Sequence, residues 1–126
     1  MGQALKEAIY PISNVERYAN VVVVMDEAAV ESALDLSNRA YLVYDVAVNG
    51  KVGDFDVELV EEFFRAVAIN AGITLHVSCK RGKNKHHIIE AAFKSFAVAL
   101  RRALAKNDLI GIPSTCLLYT SPSPRD

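Results

Sequence analysis

The sequence has no excess of either charge, no cysteine framework and no long apolar run. Its 14 Lys and Arg nearly balance 15 Asp and Glu, for a net charge of −1. Such a chain sets up no global field that would draw it to a polyanion or a charged membrane surface. The only basic cluster, residues 80–85, is short, lacks aromatic partners, and suits a small anion better than nucleic acid. Cys79 and Cys116 do not have the spacing of a disulfide scaffold, so free thiols in a reducing compartment are expected. The longest apolar run, residues 21–25, is far below the roughly 20 residues that span a bilayer. With no signal-like N-terminal segment either, a cytoplasmic location is expected. What remains is ordinary globular composition, 52% apolar and 23% charged over 126 residues, enough for one domain with its own core.

The chemistry concentrates in Asn84-Lys85-His86-His87-Ile88-Ile89-Glu90-Ala91-Ala92-Phe93-Lys94. Two of the chain's three histidines sit here side by side. Asn84 is a good N-cap and an apolar-periodic run follows, so both histidines fall in the first turn of a helix. Residues four apart share a helix face, which puts His86, Glu90 and Lys94 in one row, while His87 reaches Glu90 from the other side. Adjacent helical residues diverge by about 100°. This spacing gives one histidine to each of two metal positions, with Glu90 near both. The positive end of the helix dipole disfavours imidazolium and so favours the neutral form that binds metal. A solvated face with an ordinary Glu90–Lys94 ion pair is the other reading. Spacing alone leaves both open, because this is not the H-E-x-x-H pattern.

The rest of the chain reads as an α+β layer. Residues 1–9 look like the end of an amphipathic helix stopped by Pro11, which suggests a missing beginning. Residues 15–25 form a strand, buried or central by its valine run; residues 28–36 and 41–46 alternate as two more. Short turns at residues 26–27 and 37–38 make these three an antiparallel meander. Asn49-Gly50 signals a further turn. A helix over residues 56–71 carries Phe55, Leu59, Phe63 and Val67, flanked by Val60, Phe64 and Ala68, with Asp54 or Asp56 as cap and Gly72 as terminator. A strand over residues 73–79 contains His76, for which a core or edge position with a hydrogen-bonded ring is expected. The histidine helix runs on to about residue 106 with Ile89, Phe93, Phe96, Leu100 and Leu104 on its core face. The order is β-β-β-α-β-α, with both helices on one face of a mixed sheet. From Cys116 onward periodicity disappears into Ser/Pro low complexity, read as a non-native tail.

Several of these stretches together resemble the imidazoleglycerol-phosphate dehydratase family. They are the residues from Gly82 to Lys94 with Ala99-Leu100-Arg101, Arg17-Tyr18, Met25-Asp26-Glu27-Ala28, Leu34-Asp35-Leu36-Ser37, the strand at residues 41–44, Val52-Gly53-Asp54-Phe55-Asp56 and Ile112-Pro113-Ser114-Thr115. The resemblance covers residues 1–115. It implies one half of a duplicated two-half fold, ribosomal protein S5 domain 2-like: residues 1–10 as the end of the first half's last helix, 11–115 as the second half, and 116–126 as a foreign tail.

The resemblance further implies a hydro-lyase of histidine biosynthesis that dehydrates imidazole glycerol phosphate to imidazole acetol phosphate. Two Mn²⁺ ions per complete site would lie between the halves in a large cubic homo-oligomer. His86, His87 and Glu90 match the metal-binding helix, and Glu62 stands where the family has a further His or Glu ligand. Arg17 and Arg39 match arginines that hold the substrate phosphate, and guanidinium forks suit that dianion. Ser114 and Thr115 match the phosphate-binding loop. Asp26 and Lys94 match residues near the reacting glycerol and, with Glu90, form the implied catalytic set. The implied route is metal-stabilised imidazolate, with a proton and a hydroxyl lost from the neighbouring carbons beside the ring through a diazafulvene-like intermediate.

Two departures qualify this. The first-half copy of the His-His-x-x-Glu helix is absent, and Cys116 stands where a phosphate-binding lysine belongs. The chain is therefore expected to be an inactive fragment of the dehydratase. The alternative is a non-catalytic half-domain that binds metal or assembles.

Overall fold

The computed structural model describes residues 10, 14–48, 51–52 and 55–107, with the backbone only for 51, 52 and 55. The expected helix over 1–9, Pro11, the turn at 49–50, the cap candidate Asp54, the loop with Ser114 and Thr115, and the tail from Cys116 lie outside these residues.

The elements are β1 (Tyr18–Met25), β2 (Ala28–Asp35), β3 (Tyr41–Asp45), β4 (Lys51–Val52), β5 (Phe55–Asp56), α1 (Glu58–Ala71), β6 (Thr74–Arg81) and α2 (Lys85–Ala103). β1 and β2 form a hairpin closed by Asp26 and Glu27, with Met25 opposite Ala28. Asp26 turns the chain from the left-handed region at φ 51, a conformation that Asp tolerates better than most side chains.

The expected three-strand meander is corrected. β3 does not pair with β2; the sheet order is β1-β2-β6-β3, with β6 antiparallel to β2 and parallel to β3. The reason lies in the connection. β3 and β6 are joined through α1, and a strand–helix–strand crossover lays its two strands parallel and side by side. Alternation along β3 reported which face it buries, not which strand it pairs with. β4 and β5 add a short separate ladder before α1.

One face of the sheet is covered and the other is open. Val30, Ser32 and Leu34 on β2 and Leu75 and Val77 on β6 are buried under the helices, whereas His76 between the last two is exposed. His76 is thus neither a core nor an edge residue, since β6 is flanked on both sides. β1 is an edge strand, contrary to expectation, and Val22 and Val24 on its outer face are 50% and 70% exposed. Four valines in a row report β-propensity, not burial.

α2 lies across β1 and β2, and α1 packs on β3 and β5. The two helices meet at Phe64, which is fully buried and stacks against Tyr44, Phe63, Phe93 and Phe96. α1 begins two residues later than expected. The expected Asp cap is corrected: Val57 is the N-cap and makes no side-chain cap bond, while Asp56, one residue earlier, accepts the Glu58 amide on Oδ1 at 3.0 Å. Gly72 ends it at φ 69, and a side chain there would sit 2.9 Å from Asn38 Oδ1. α2 buries a slimmer stripe than expected: Ile88, Ile89, Ala91, Ala92, Ser95, Phe96, Ala99 and Ala103, with Phe93, Leu100 and Leu104 only half-buried. The small residues let the helix axis approach the sheet closely. Ser95 is tolerated there because its hydroxyl meets Ser32 Oγ at 2.7 Å and donates to the Ala92 carbonyl. α1 leaves Leu59, Phe63 and Ile69 exposed on its outer side.

Candidate functional site

The first turn of α2 is built as the sequence indicates. Asn84 adopts an extended backbone (φ −82, ψ 118) and its side chain accepts from the His87 amide at 3.2 Å. Gly82 lets the preceding loop press onto the helix, since a Cβ at this position would meet Ile88 Cγ1 at 2.7 Å and Ala28 Cβ at 3.1 Å. The approach brings the amides of Lys83 and Asn84 to the β1–β2 turn. There Glu27 Oε2 accepts from both, at 2.9 and 2.8 Å. The other oxygen of the same carboxylate lies 2.7 Å from His87 Nδ1. One side chain thus ties the hairpin turn to the helix N-terminus at three points.

The remaining groups line up in pairs. His86 Nε2 faces Glu90 Oε1 at 3.0 Å, and Lys94 Nζ binds Glu90 Oε2 at 2.9 Å, so the expected row of three is present. His87 Nε2 points toward Asp26 Oδ2 at 3.6 Å. The two imidazoles stand edge to face, centroids 6.3 Å apart and planes at 73°. That divergence agrees with one histidine per position. It also means that this cluster presents its donors in separate twos. Among the described residues no three His, Cys, Asp or Glu side chains converge tightly enough to hold an ion. Glu62 is exposed on α1 and takes no part in the cluster.

The electrostatics follow from these pairs. Two backbone amides and the His87 ring hold the Glu27 carboxyl down at about 2. The same contact with Glu27, helped by Asp26 and Glu90, raises His87. The helix dipole alone was expected to favour neutral imidazole; at His87 the nearby carboxylates outweigh it. The Lys94 ammonium, and then His86, lower Glu90.

Arg17 and Arg39 are elsewhere. The Arg17 amide donates to the Ala103 carbonyl, which places it beside the C-terminus of α2. The helix has 19 residues, and at about 1.5 Å per residue its ends are roughly 27 Å apart. Asp35 grips the Arg17 guanidinium, Nε to Oδ1 at 2.7 Å and Nη2 to Oδ2 at 3.4 Å, and raises its pKa. Arg17 also lies 4.9 Å over the Tyr18 ring. Arg39 is exposed in the neighbouring β2–β3 connection, its carbonyl accepting from Ser37 Oγ and Thr74 Oγ1. The site residues named from the sequence therefore divide between two ends of the layer. Asp26, His86, His87, Glu90 and Lys94 gather at one, and Arg17 and Arg39 at the other. Ser114 and Thr115 fall outside the described residues. Sequence reasoning missed the role of Glu27, whose partners lie 56 to 60 residues away; no local spacing could have shown it.

Imidazole and carboxylate oxygen are suitable donors for a divalent first-row metal. His86 with Glu90, and His87 with Asp26, would each supply part of a coordination shell. Neither pair is a complete set by itself.

Comparison with known proteins agrees with this geometry. The family profile described as imidazoleglycerol-phosphate dehydratase matches residues 1–100. The dehydratase of Aliarcobacter butzleri strain RM4018 is 73% identical over 115 residues, and that of Wolinella succinogenes 58% over 115; each alignment covers 91% of this chain. The chain spans 60% of the length of these relatives. Among solved structures, the dehydratase from Staphylococcus aureus subsp. aureus N315 superposes with a TM-score of 0.81 at 47% identity, covering 84% of this chain and 63% of that one. The Pyrococcus furiosus structure in complex with (S)-C348 superposes at 0.78 with 36% identity, covering 91% and 63%. With a helix end that pairs His86 with Glu90 and His87 with Asp26, and with sequence and fold matches of this extent, the chain belongs to the imidazoleglycerol-phosphate dehydratase family.

Proposed function

We propose that this chain is part of an imidazoleglycerol-phosphate dehydratase, contributing one share of a site that removes water from imidazole glycerol phosphate to give imidazole acetol phosphate. The observation that carries this is the α2 N-terminus, where His86 and Lys94 pair with Glu90 and His87 faces Asp26. Mn²⁺ is the metal we assign to the His86, His87 and Glu90 donors, with Glu62 as a further ligand in the assembled site. When bound, it would supply Lewis-acid stabilisation of the substrate ring as imidazolate.

The chain's own groups divide the remaining work. Glu90, held anionic by Lys94, is the acceptor for the proton on the second carbon from the ring. Lys94 Nζ gives a proton to the departing hydroxyl of the carbon next to the ring, which leaves as water, and the resulting enol takes a proton at that ring-side carbon to become the ketone. Asp26, beside His87 Nε2, orients the glycerol hydroxyls. Arg17 and Arg39, with Ser114 and Thr115, take the phosphate.

The separation of the two groups bears on how the site would be assembled. A small phosphate ester cannot bridge ends that stand about 27 Å apart along a 19-residue helix. The histidine end therefore needs phosphate-binding groups from elsewhere, from the part of the relatives' length outside this chain or from a second copy; the second, which we propose, would make a closed homo-oligomer, cubic in the fullest reading. Exposed Leu59, Phe63 and Ile69 on α1 give an apolar face for such packing. No helix among the described residues is long and apolar enough to cross a membrane, and we place the protein in the cytoplasm.

Two measurements test the proposal. Mn²⁺ should raise the melting temperature of the chain, and His86→Ala should remove the rise; no shift for the unaltered chain overturns the metal assignment. A dehydratase of the relatives' full length carrying this sequence should turn over imidazole glycerol phosphate. Glu90→Gln should lower its kcat by about 10²-fold or more; an unchanged kcat overturns the role of Glu90. The second reading, a half-domain that binds metal and assembles without catalysis, is favoured by the same apolar face of α1. It holds if the melting shift is found and the full-length chain shows no turnover.

A further inference from the structure

We propose that Glu27 is a positioning residue, fixing the His87 imidazole as its Nδ1–H tautomer so that Nε2 is presented outward as the metal-facing donor. This rests on the metal reading above for its purpose, but the tautomer itself can be measured without metal. Three observations carry it. Glu27 Oε1 is 2.7 Å from His87 Nδ1, a distance at which a carboxylate can only accept, so the ring must donate there. Glu27 is itself immobilised, because its second oxygen accepts the Lys83 and Asn84 amides. The His87 backbone is held in turn by the Asn84 side chain. An imidazole donating from one nitrogen to a fixed carboxylate keeps its lone pair on the other, and that partner commonly decides which nitrogen takes a metal. His86, whose Nε2 faces Glu90 on its own helix, has no equivalent clamp from the hairpin turn, so the two adjacent histidines are not interchangeable.

Glu27→Gln gives a sharp test because it preserves the fold's hydrogen bonds while inverting one. The glutamine carbonyl would continue to accept the two amides, and its NH₂ would then face Nδ1 and donate to it. That leaves the proton on Nε2. The imidazole nitrogens of the ¹⁵N-labelled 126-residue chain would be observed by long-range ¹H–¹⁵N NMR, without metal, at a pH above the imidazole range. We expect Nδ1–H for His87 in the unaltered chain and a switch to Nε2–H in Glu27→Gln. We also expect Mn²⁺ to broaden the His87 resonances in the first protein, with the affinity read from them roughly 10- to 100-fold weaker in the second. Nε2–H in the unaltered chain, which needs no variant to observe, overturns the proposal. So does an unchanged tautomer in a variant whose amide spectrum remains dispersed. If the tautomer switches as stated but Mn²⁺ broadens neither protein, the clamp stands and the metal reading falls. If Mn²⁺ binds both equally, the metal reading stands and the positioning role falls.

Discussion

The two ends of the layer are built alike but hold different side chains. At each, a carboxylate on the β1–β2 hairpin holds a basic side chain: Glu27 holds His87 at the start of α2, and Asp35 holds Arg17 at its finish. At the histidine end the carboxylate also binds two backbone amides, so it is fixed before any ligand arrives. At the arginine end the partners are side chains of equal exposure, 26% each. The difference teaches that a carboxylate anchored by backbone amides sets a single ring orientation, whereas a pair of surface side chains leaves a guanidinium more latitude.

The largest expected effect breaks both ends at once. Phe64→Ala would open a cavity beneath α1 and α2 and lower stability by about 3–5 kcal/mol. Chemical denaturation measures the loss, and NMR shifts should change at both ends; shifts confined to one end would show that the aromatic cluster does not couple them. Asn84→Ala separates the ends. Removing this cap should lower stability by about 1 kcal/mol and disturb His86 and His87 while leaving the Arg17 region unshifted. Asp35→Ala is its mirror image, disturbing Arg17 and sparing the histidines. Because that pair is partly solvated, a loss under about 1 kcal/mol is expected.

The smallest effect is local and set by pH. The Glu27 carboxyl is depressed from 4.5 to about 2, so its contribution is present above 4.5 and lost as pH falls toward 2. His87 is raised from 6.5, so its contribution is complete below 6.5 and lost as pH rises through its folded value. Protection of the Lys83 and Asn84 amides, relative to their intrinsic exchange rates, should therefore fall toward acid, and the His87 contact should loosen toward alkali. The Arg17–Asp35 pair should show no matching change on the alkaline side. Equal alkaline sensitivity at the two ends would contradict the assignment of partners.

Local patterns were legible and long-range ones were not. Asn84, Gly72 and the apolar spacing along α1 and α2 fixed the helices to within three residues, because caps and periodicity are properties of neighbours in sequence. The row His86–Glu90–Lys94 was legible for the same reason. The partner of β3 was not, since alternation carries no information about which strand lies alongside. The valines of β1 misled, because a strand's apolar residues can face outward. Ala91, Ala92, Ser95 and Ala99 were overlooked as a packing face in favour of the larger residues, although close approach needs the small ones. Glu27 escaped because its importance comes from two loops brought together only by the fold.

The place of β6 between β2 and β3 sets an order of events as the chain emerges. β1 and β2 can zip together as soon as their turn is made, since their pairing is local. β3 leaves synthesis without a ladder partner and must wait until α1 and all of β6 have followed. During that interval Tyr41 and Val43 sit on an unpaired strand, the kind of edge that recruits strands from other chains. Arrival of β6 seals both of its neighbours together, so the hairpin and the crossover become one sheet in a single late step.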